Sequence, residues 1–128
     1  MPNESIVLTE AEWEIMEYLW TNAPKIGREI CERMREKKGW SRSTTLTLLT
    51  RLENKGAVSS GSAGIKNYTP LISREDASMR ETKNLLDRFY NGSLGVMVSA
   101  FTKKQKLSQK EIDEMYELLR RMEEKNND

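Results

Sequence analysis

Apolar side chains recur every three or four residues over most of the chain, which predicts a mainly helical protein. The first such stretch begins at Thr9, which is followed three residues later by Glu12, a pair that forms a capping box at a helix start. This helix is predicted to run to about Thr21. Its apolar residues fall on two faces, with Leu8, Ala11, Ile15 and Leu19 on one and Trp13, Met16 and Trp20 on the other. Two apolar faces indicate two packing partners.

Two more helices are predicted before the middle of the chain. Gly27 can cap the second helix, which stops at Gly39. Its apolar stripe consists of Ile30, Cys31 and Met34. Ser41 can cap a third helix that extends to about Lys55, and Gly56 suits the left-handed position after a helix end. Three short helices in succession are typical of a helix-turn-helix core.

The pattern then changes from helical spacing to short strands. Residues 58–60 and 65–69 have strand-like composition and flank the sequence GSAG at 61–64, a loop that tolerates unusual backbone angles. Pro70 lacks a backbone N–H and so helps to end the second strand. This stretch predicts a two-stranded wing.

The remainder of the chain is predicted to be helical. Ser73 starts a helix that ends near residues 91–92, and a shorter apolar segment follows at 94–101. Ser108 and Glu111 form another capping box at the start of the last helix. The apolar seam of that helix, with spacings of three and four, consists of Ile112, Met115, Leu119 and Met122.

These elements predict a fold that is mainly α with a small β wing. A winged helix-turn-helix domain is expected at residues 1–72 and a helical dimerisation domain at residues 73–128. Each half is too small to bury a thick core, so we expect the halves to need a partner surface. The residues predicted to form the dimer interface are Phe89, Tyr90, Ile112, Met115, Leu119 and Met122.

Composition argues against an enzyme. The chain has no histidine, which removes the usual general base, the commonest zinc ligand and every Ser-His or Cys-His pair. Glu10, Glu14 and Glu17 lie at helical spacings and are interpreted as a solvated helix face. Cys31, the single cysteine, is predicted to be a small buried residue. We therefore expect no catalytic residue, no metal and no cofactor.

The sequence predicts no membrane segment. No apolar run has the length needed to cross a bilayer, and the start lacks the pattern of a signal peptide. We expect a cytoplasmic protein without membrane insertion.

The positive charge is concentrated in one segment, although the formal net charge is only +1. Residues 35–66 carry seven basic and two acidic side chains. A local basic segment is what a phosphate-contacting module needs. If all seven neutralised phosphates, binding to DNA would weaken steeply with salt.

The third helix has a face suited to the major groove of DNA. Its inward side is predicted to be Thr45, Leu48, Leu49 and Leu52, and its opposite side Ser43, Thr47, Thr50 and Asn54. Hydroxyl and amide groups can bond base edges or phosphates, arginines can bind phosphates, and a leucine can meet a thymine methyl group. The predicted DNA-binding residues are Ser41, Arg42, Ser43, Thr44, Leu46, Thr47, Thr50, Arg51 and Lys66. The alternative is a winged protein-interaction adaptor that does not recognise DNA sequence.

Several motifs together resemble the penicillinase and methicillin-resistance repressor family of winged-helix proteins. The matching segments span nearly the whole chain: LTEAEWEIM at 8–16, WS at 40–41 with Thr44, Thr47, Leu49, RL at 51–52 and KGA at 55–57, YTP at 68–70, RFYNGSL at 88–94, and residues 107–119.

The resemblance implies a homodimer that binds an inverted-repeat operator and represses genes of β-lactam resistance. It also implies release through a membrane sensor protease, with cleavage in the dimerisation half before a phenylalanine. The corresponding bond joins Ala100 to Phe101, where the family has asparagine before the phenylalanine. The alternative is that Phe101 only packs in the dimer core. Leu46 also departs from the family, in which a long polar residue is usual.

Overall fold

The structure, a computed structural model, describes residues 6–127, without the side chains of Ser62 and Ala63. It is mainly helical with a small antiparallel sheet, as predicted. The elements in chain order are α1 (Glu10–Asn22), β1 (Lys25–Ile26), α2 (Gly27–Lys38), α3 (Arg42–Lys55), β2 (Val58–Ala63), β3 (Ile65–Pro70), α4 (Arg74–Tyr90), α5 (Leu94–Lys104) and α6 (Gln109–Asn126). Residues 1–5 and Asp128, at the outer ends of the two predicted domains, lie outside the described residues.

The capping signals at the starts of α1, α3 and α6 are confirmed. The Glu12 backbone N–H donates to Thr9 Oγ1 at 3.1 Å, and the Thr9 N–H donates to Glu12 Oε1 at 2.8 Å. Ser108 and Glu111 repeat this reciprocal pair before α6. The Ser41 hydroxyl accepts a backbone N–H of the first turn of α3 at 3.2 Å. Each cap satisfies backbone donors that a helix start leaves without partners.

The prediction that Gly27 caps α2 is wrong by one residue, because Gly27 is already helical. Ile26 occupies the cap position, and its side chain has no atom that can accept a hydrogen bond. The Glu29 carboxylate accepts the Ile26 backbone N–H at 3.2 Å, so only this half of a capping box is present. At the other ends of α2 and α3, Gly39 and Gly56 adopt the predicted left-handed conformation, with φ of 72° and 81°.

β3 lies at the centre of a sheet with the strand order β1-β3-β2 within the described residues. The antiparallel hairpin of β2 and β3 is the predicted wing, and it pairs Val58 with Pro70 and Ser60 with Tyr68. The prediction of only two strands is wrong, since Lys25 of β1 also pairs with Tyr68, on the other edge of β3. A strand of two residues is too short to show alternation in the sequence. The extra strand ties the wing to the connection between α1 and α2.

The apolar faces of α1, α2 and α3 meet in one core. Its fully buried side chains include Ile15, Met16, Leu19, Ile30, Met34, Leu49 and Leu52. Cys31 is buried as predicted, and burial raises the pKa of its thiol. The start of α4 is held to this core, because Trp20 Nε1 donates to the Ile72 carbonyl at 2.8 Å. The core thereby fixes which side of α3 faces outward.

The predicted solvated face of α1 is only partly correct. Glu10 is exposed, but Glu14 and Glu17 are half-buried and paired. Glu14 lies 3.0 Å from Lys37 Nζ of α2. Glu17 pairs with Arg74, the first residue of α4, which holds the pKa of Glu17 below its usual value. Helical spacing alone identifies neither partner, because both come from other elements.

The chain divides into two compact units, one up to Asn84 and one from Leu85. The division falls inside α4, and the predicted domain boundary between residues 72 and 73 stays a prediction. No helix in the described part of the chain combines the length and apolar character that a bilayer crossing requires.

Candidate nucleic-acid interface

One face of α3 is polar and open to solvent. The inward residues are buried as predicted: Thr45, Leu48, Leu49 and Leu52. The opposite residues are exposed: Ser43, Thr47, Thr50 and Asn54. The predicted division of this helix into two sides is therefore confirmed. The outer side is built of short polar side chains, so a flat or convex ligand can approach the helix backbone closely.

The amino-terminal end of α3 carries a cluster of hydroxyl groups. Ser41 Oγ lies 3.0 Å from Thr44 Oγ1 and 3.3 Å from Ser43 Oγ, and Arg42 is exposed beside them. A hydroxyl can rotate to donate or accept a hydrogen bond. The positive end of the helix dipole is also at this end. The cluster can therefore bond either a phosphate oxygen or a base edge.

The middle of the outer face differs from residue to residue in what it can offer a ligand. Thr50 Oγ1 already donates to the Leu46 carbonyl at 3.1 Å. The Leu46 side chain is half-buried and packs against the core, so only part of it can reach a thymine methyl group. The Thr47 hydroxyl takes no part in the hydrogen bonds of the described residues, and Arg51 is exposed. Thr47 and Arg51 are thus the most available groups of this stretch.

Lys66, the predicted contact from the wing, is held by the last turns of α3. Its Nζ donates to Glu53 Oε1 at 3.0 Å and lies 5.6 Å from the centre of the Tyr68 ring. Ser60 Oγ donates to the other oxygen of Glu53 at 2.5 Å. The hydrogen bond from Ser60, followed by the pairing with Lys66, lowers the pKa of Glu53, and Glu53 in turn raises the pKa of Lys66. Glu53 therefore joins both strands of the wing to α3, and Lys66 must leave this carboxylate to contact a phosphate.

Neither Glu53 nor Ser60 is conspicuous in the sequence. Their contacts join residues that are 7 and 13 positions apart, across the end of a helix and the turn of a hairpin. The local signal is the acidic character of Glu53, one of two acids in a mostly basic segment.

The free positive charge of residues 35–66 is smaller than the sequence predicts. Three of the seven basic side chains form ion pairs with glutamates of the described residues: Lys37, Lys55 and Lys66. The other four form no ion pair within the described residues: Arg35, Lys38, Arg42 and Arg51. The expectation that all seven neutralise phosphates stays a prediction. The fold brings distant acids against this segment, and a phosphate would have to compete with them.

The predicted dimerisation residues lie in the unit from Leu85 onwards. Tyr90, Ile112 and Met115 are half-buried, and Phe89, Leu119 and Met122 are exposed. Further exposed apolar side chains of the same unit are Leu85, Leu94, Val96, Phe101, Tyr116 and Leu118. No residue between 85 and 127 is buried. A unit with this much uncovered apolar surface is typical of one that packs against a partner.

The predicted cleavage bond between Ala100 and Phe101 lies inside α5. The Phe101 carbonyl accepts the Gln105 N–H at 2.9 Å, and the Phe101 side chain is 52% exposed. Cleavage at this bond requires the helix to open locally first.

Comparison with known proteins gives a family match over most of the chain. The model of the penicillinase repressor family matches residues 8–121. The methicillin resistance regulatory protein MecI of Staphylococcus aureus (strain N315) is 32% identical over 120 residues, which cover 93% of this chain and 98% of MecI. The penicillinase repressor of Bacillus licheniformis is 35% identical over 113 residues, which cover 88% of each chain.

Two solved structures resemble about half of this chain. The solution structure of the DNA-binding domain of the repressor BlaI has a TM-score of 0.51 and 31% identity, covering 54% of this chain and 85% of that one. The structure of the Bacillus licheniformis BlaI monomeric form in complex with the blaP half-operator has a TM-score of 0.51 and 29% identity, covering 56% of this chain and 88% of the chain in that structure.

Proposed function

The chain belongs to the penicillinase repressor family, and on that premise we propose that it is a dimeric transcriptional repressor that binds an inverted-repeat operator in double-stranded DNA. The observation that carries this proposal is the exposed polar face of α3, free of large side chains and bordered by arginines. Such a face lies against base edges when a recognition helix enters the major groove. The resemblance to BlaI in complex with a half-operator supports the same use of this helix.

The roles of individual residues follow from what each can offer. Arg42 and Arg51 bind phosphate oxygens, because guanidinium groups match phosphate geometry. Thr47 reads a base edge through its free hydroxyl. Hydrogen bonds to either phosphates or bases come from the hydroxyl groups of Ser41, Ser43, Thr44 and Thr50. The exposed part of Leu46 contacts a thymine methyl group. Lys66 contacts the sugar-phosphate backbone of the duplex from the wing.

Two copies of the chain supply two recognition helices. A dimer places them against half-sites about one helical turn, roughly 34 Å, apart on the duplex. The exposed apolar side chains of α4, α5 and α6 from Leu85 onwards support pairing through this unit. Phe89, Tyr90, Ile112, Met115, Leu119 and Met122 are the proposed interface residues.

The test compares Arg51→Ala with Thr47→Ala in titrations of the preferred duplex, selected from genomic fragments, and of a random duplex. Arg51→Ala is expected to weaken binding to both duplexes alike and to lower the salt slope by about one. Thr47→Ala is expected to lower the ratio of the two affinities by about tenfold, because it loses a base contact.

Arg33→Ala on α2 and Thr82→Ala on α4 are the matched controls. Arg33 lies over the Tyr18 ring, and the Thr82 hydroxyl is bonded within its own helix, so both should bind like wild type. If wild type retards genomic fragments only weakly and without preference, the adaptor function replaces the repressor.

We further propose that the regulated genes are those of β-lactam resistance, and that cleavage between Ala100 and Phe101 after signalling from a membrane sensor protease releases the operator. The family and the exposed Phe101 side chain support this proposal, while Ala100 stands where the family has asparagine. Cells treated with a β-lactam are expected to derepress the target genes and to contain a shortened chain, detected by immunoblot. Derepression with an intact chain would exclude cleavage as the switch.

A further inference from the structure

A cleft between α2 and the start of α3 is lined by three arginines. The lining residues are Arg28, Cys31, Glu32, Arg35 and Arg42, and the cleft has a volume of about 290 Å³. Arg28 and Arg35 are seven residues apart on α2, so they lie on one helix face two turns apart. Arg42 is the first residue of α3, and its carbonyl lies 3.9 Å from the Cys31 sulfur, which joins the two helices at this point.

The cleft has an unbalanced positive charge. None of its three guanidinium groups forms an ion pair with the described residues, although many other cations of this unit are paired. Glu32 is the single acid among the lining residues, which leaves two positive charges in excess. Guanidinium groups bind phosphate oxygens through paired hydrogen bonds, so a phosphate group matches the charge and the donors of the cleft.

We propose that this cleft binds a backbone phosphate of the duplex, at a site separate from the groove-facing side of α3. The proposal rests on the proposed function. The cleft lies at the same end of α3 as the hydroxyl cluster of Ser41, Ser43 and Thr44, because Arg42 lines the cleft and is exposed beside that cluster. A duplex seated on α3 therefore has its sugar-phosphate backbone beside this end of the helix. Arg28 and Arg35 extend the phosphate-binding surface onto α2.

The experiment measures how the affinity for the preferred duplex depends on salt. The double variant Arg28→Gln/Arg35→Gln is compared with Arg33→Gln/Lys37→Gln, which removes the same charge from the same helix. Arg33 and Lys37 face α1, where they contact Tyr18 and Glu14. The cleft variant is expected to lose about one unit of the salt slope and threefold to tenfold in affinity, roughly one phosphate contact. The ratio of its affinity for the preferred duplex to its affinity for a random duplex should stay unchanged, because a phosphate contact carries no sequence information.

Inorganic phosphate provides a second comparison at constant ionic strength. The affinity of wild type for the duplex is expected to stay unchanged when chloride is replaced by inorganic phosphate. A drop in the affinity of wild type that is absent from Arg28→Gln/Arg35→Gln would assign the cleft to a free anion and overturn the proposal.

Equal salt slopes for the two double variants, with both folded by thermal melting, would also overturn the proposal. In that case the proposed repressor function would still stand if wild type bound its preferred duplex specifically and with a dependence on salt. If wild type itself bound the operator and a random duplex equally well, the proposed repressor function would be contradicted instead. The failure of the cleft proposal and the failure of the repressor function are therefore distinguishable.

Discussion

Leu119→Asp is expected to yield a monomer that no longer occupies the operator at concentrations that saturate wild type. Leu119 is 56% exposed in a single chain and lies on the seam of α6 proposed to face a partner. A carboxylate in an apolar interface without a partner strongly disfavours association. Loss of the second recognition helix removes the gain from bivalent binding, which is about 10²-fold or more. Sedimentation and operator titration measure the two effects.

The matched control is Arg120→Asp on the same helix. Arg120 neighbours Leu119 but lies about 100° around the helix, and it pairs with Glu117 rather than with the seam. The control should remain dimeric and keep its operator affinity. A Leu119→Asp variant that sediments as a dimer would show that the seam is not the interface, whatever its effect on DNA binding.

Lys55→Met is expected to destabilise the amino-terminal unit by about 3 kcal/mol, because it leaves a buried carboxylate without its partner. Glu12 is fully buried, and Lys55 Nζ lies 2.5 Å from Glu12 Oε1 and 2.8 Å from the Val7 carbonyl. The other Glu12 oxygen is buried and accepts no hydrogen bond from the described residues. Urea unfolding followed by tryptophan fluorescence measures the effect, since all three tryptophans precede Asn84.

The control for this pair is the double variant Glu12→Gln/Lys55→Met. It removes both charges, while glutamine can still accept the Thr9 N–H at the helix cap. The double variant should therefore be more stable than Lys55→Met alone. Equal unfolding midpoints for wild type and Lys55→Met would contradict the importance of the pair.

The loss in free energy of unfolding caused by Lys55→Met should also depend on pH. Burial alone would raise the pKa of Glu12, but the hydrogen bonds from Lys55 and Thr9 together hold it below its ordinary value of 4.5. A lowered folded-state pKa stabilises the fold above the unfolded value, and this stabilisation is lost as the pH falls through the folded value. Without Lys55, burial prevails and the pKa rises. The difference between the two proteins should thus be largest near neutral pH and shrink below about pH 4.5.

The candidate interface was predictable to the extent that it depends on one helix. Hydroxyl groups at Ser43, Thr47 and Thr50 share a side of α3 by helical period alone, and the structure places all three in solvent. Which side chains of the candidate interface are free to contact a ligand was not predictable. The commitment of Thr50 to a backbone carbonyl and of Lys66 to Glu53 depends on neighbours that only the folded chain supplies.

The sequence by itself determined where α1, α3 and α6 begin, where α2 and α3 end, and which apolar sides of α1 to α3 are buried, because caps and helical faces depend on residues within about four positions of one another. Thr9 with Glu12, Ser108 with Glu111, and Gly56 are such local signals. Only the tertiary structure decided the third strand, the pairing of Glu12 with Lys55 and the gathering of arginines beside Cys31. These contacts join elements that are separate along the chain, and no local periodicity records which charges will meet once the core has closed.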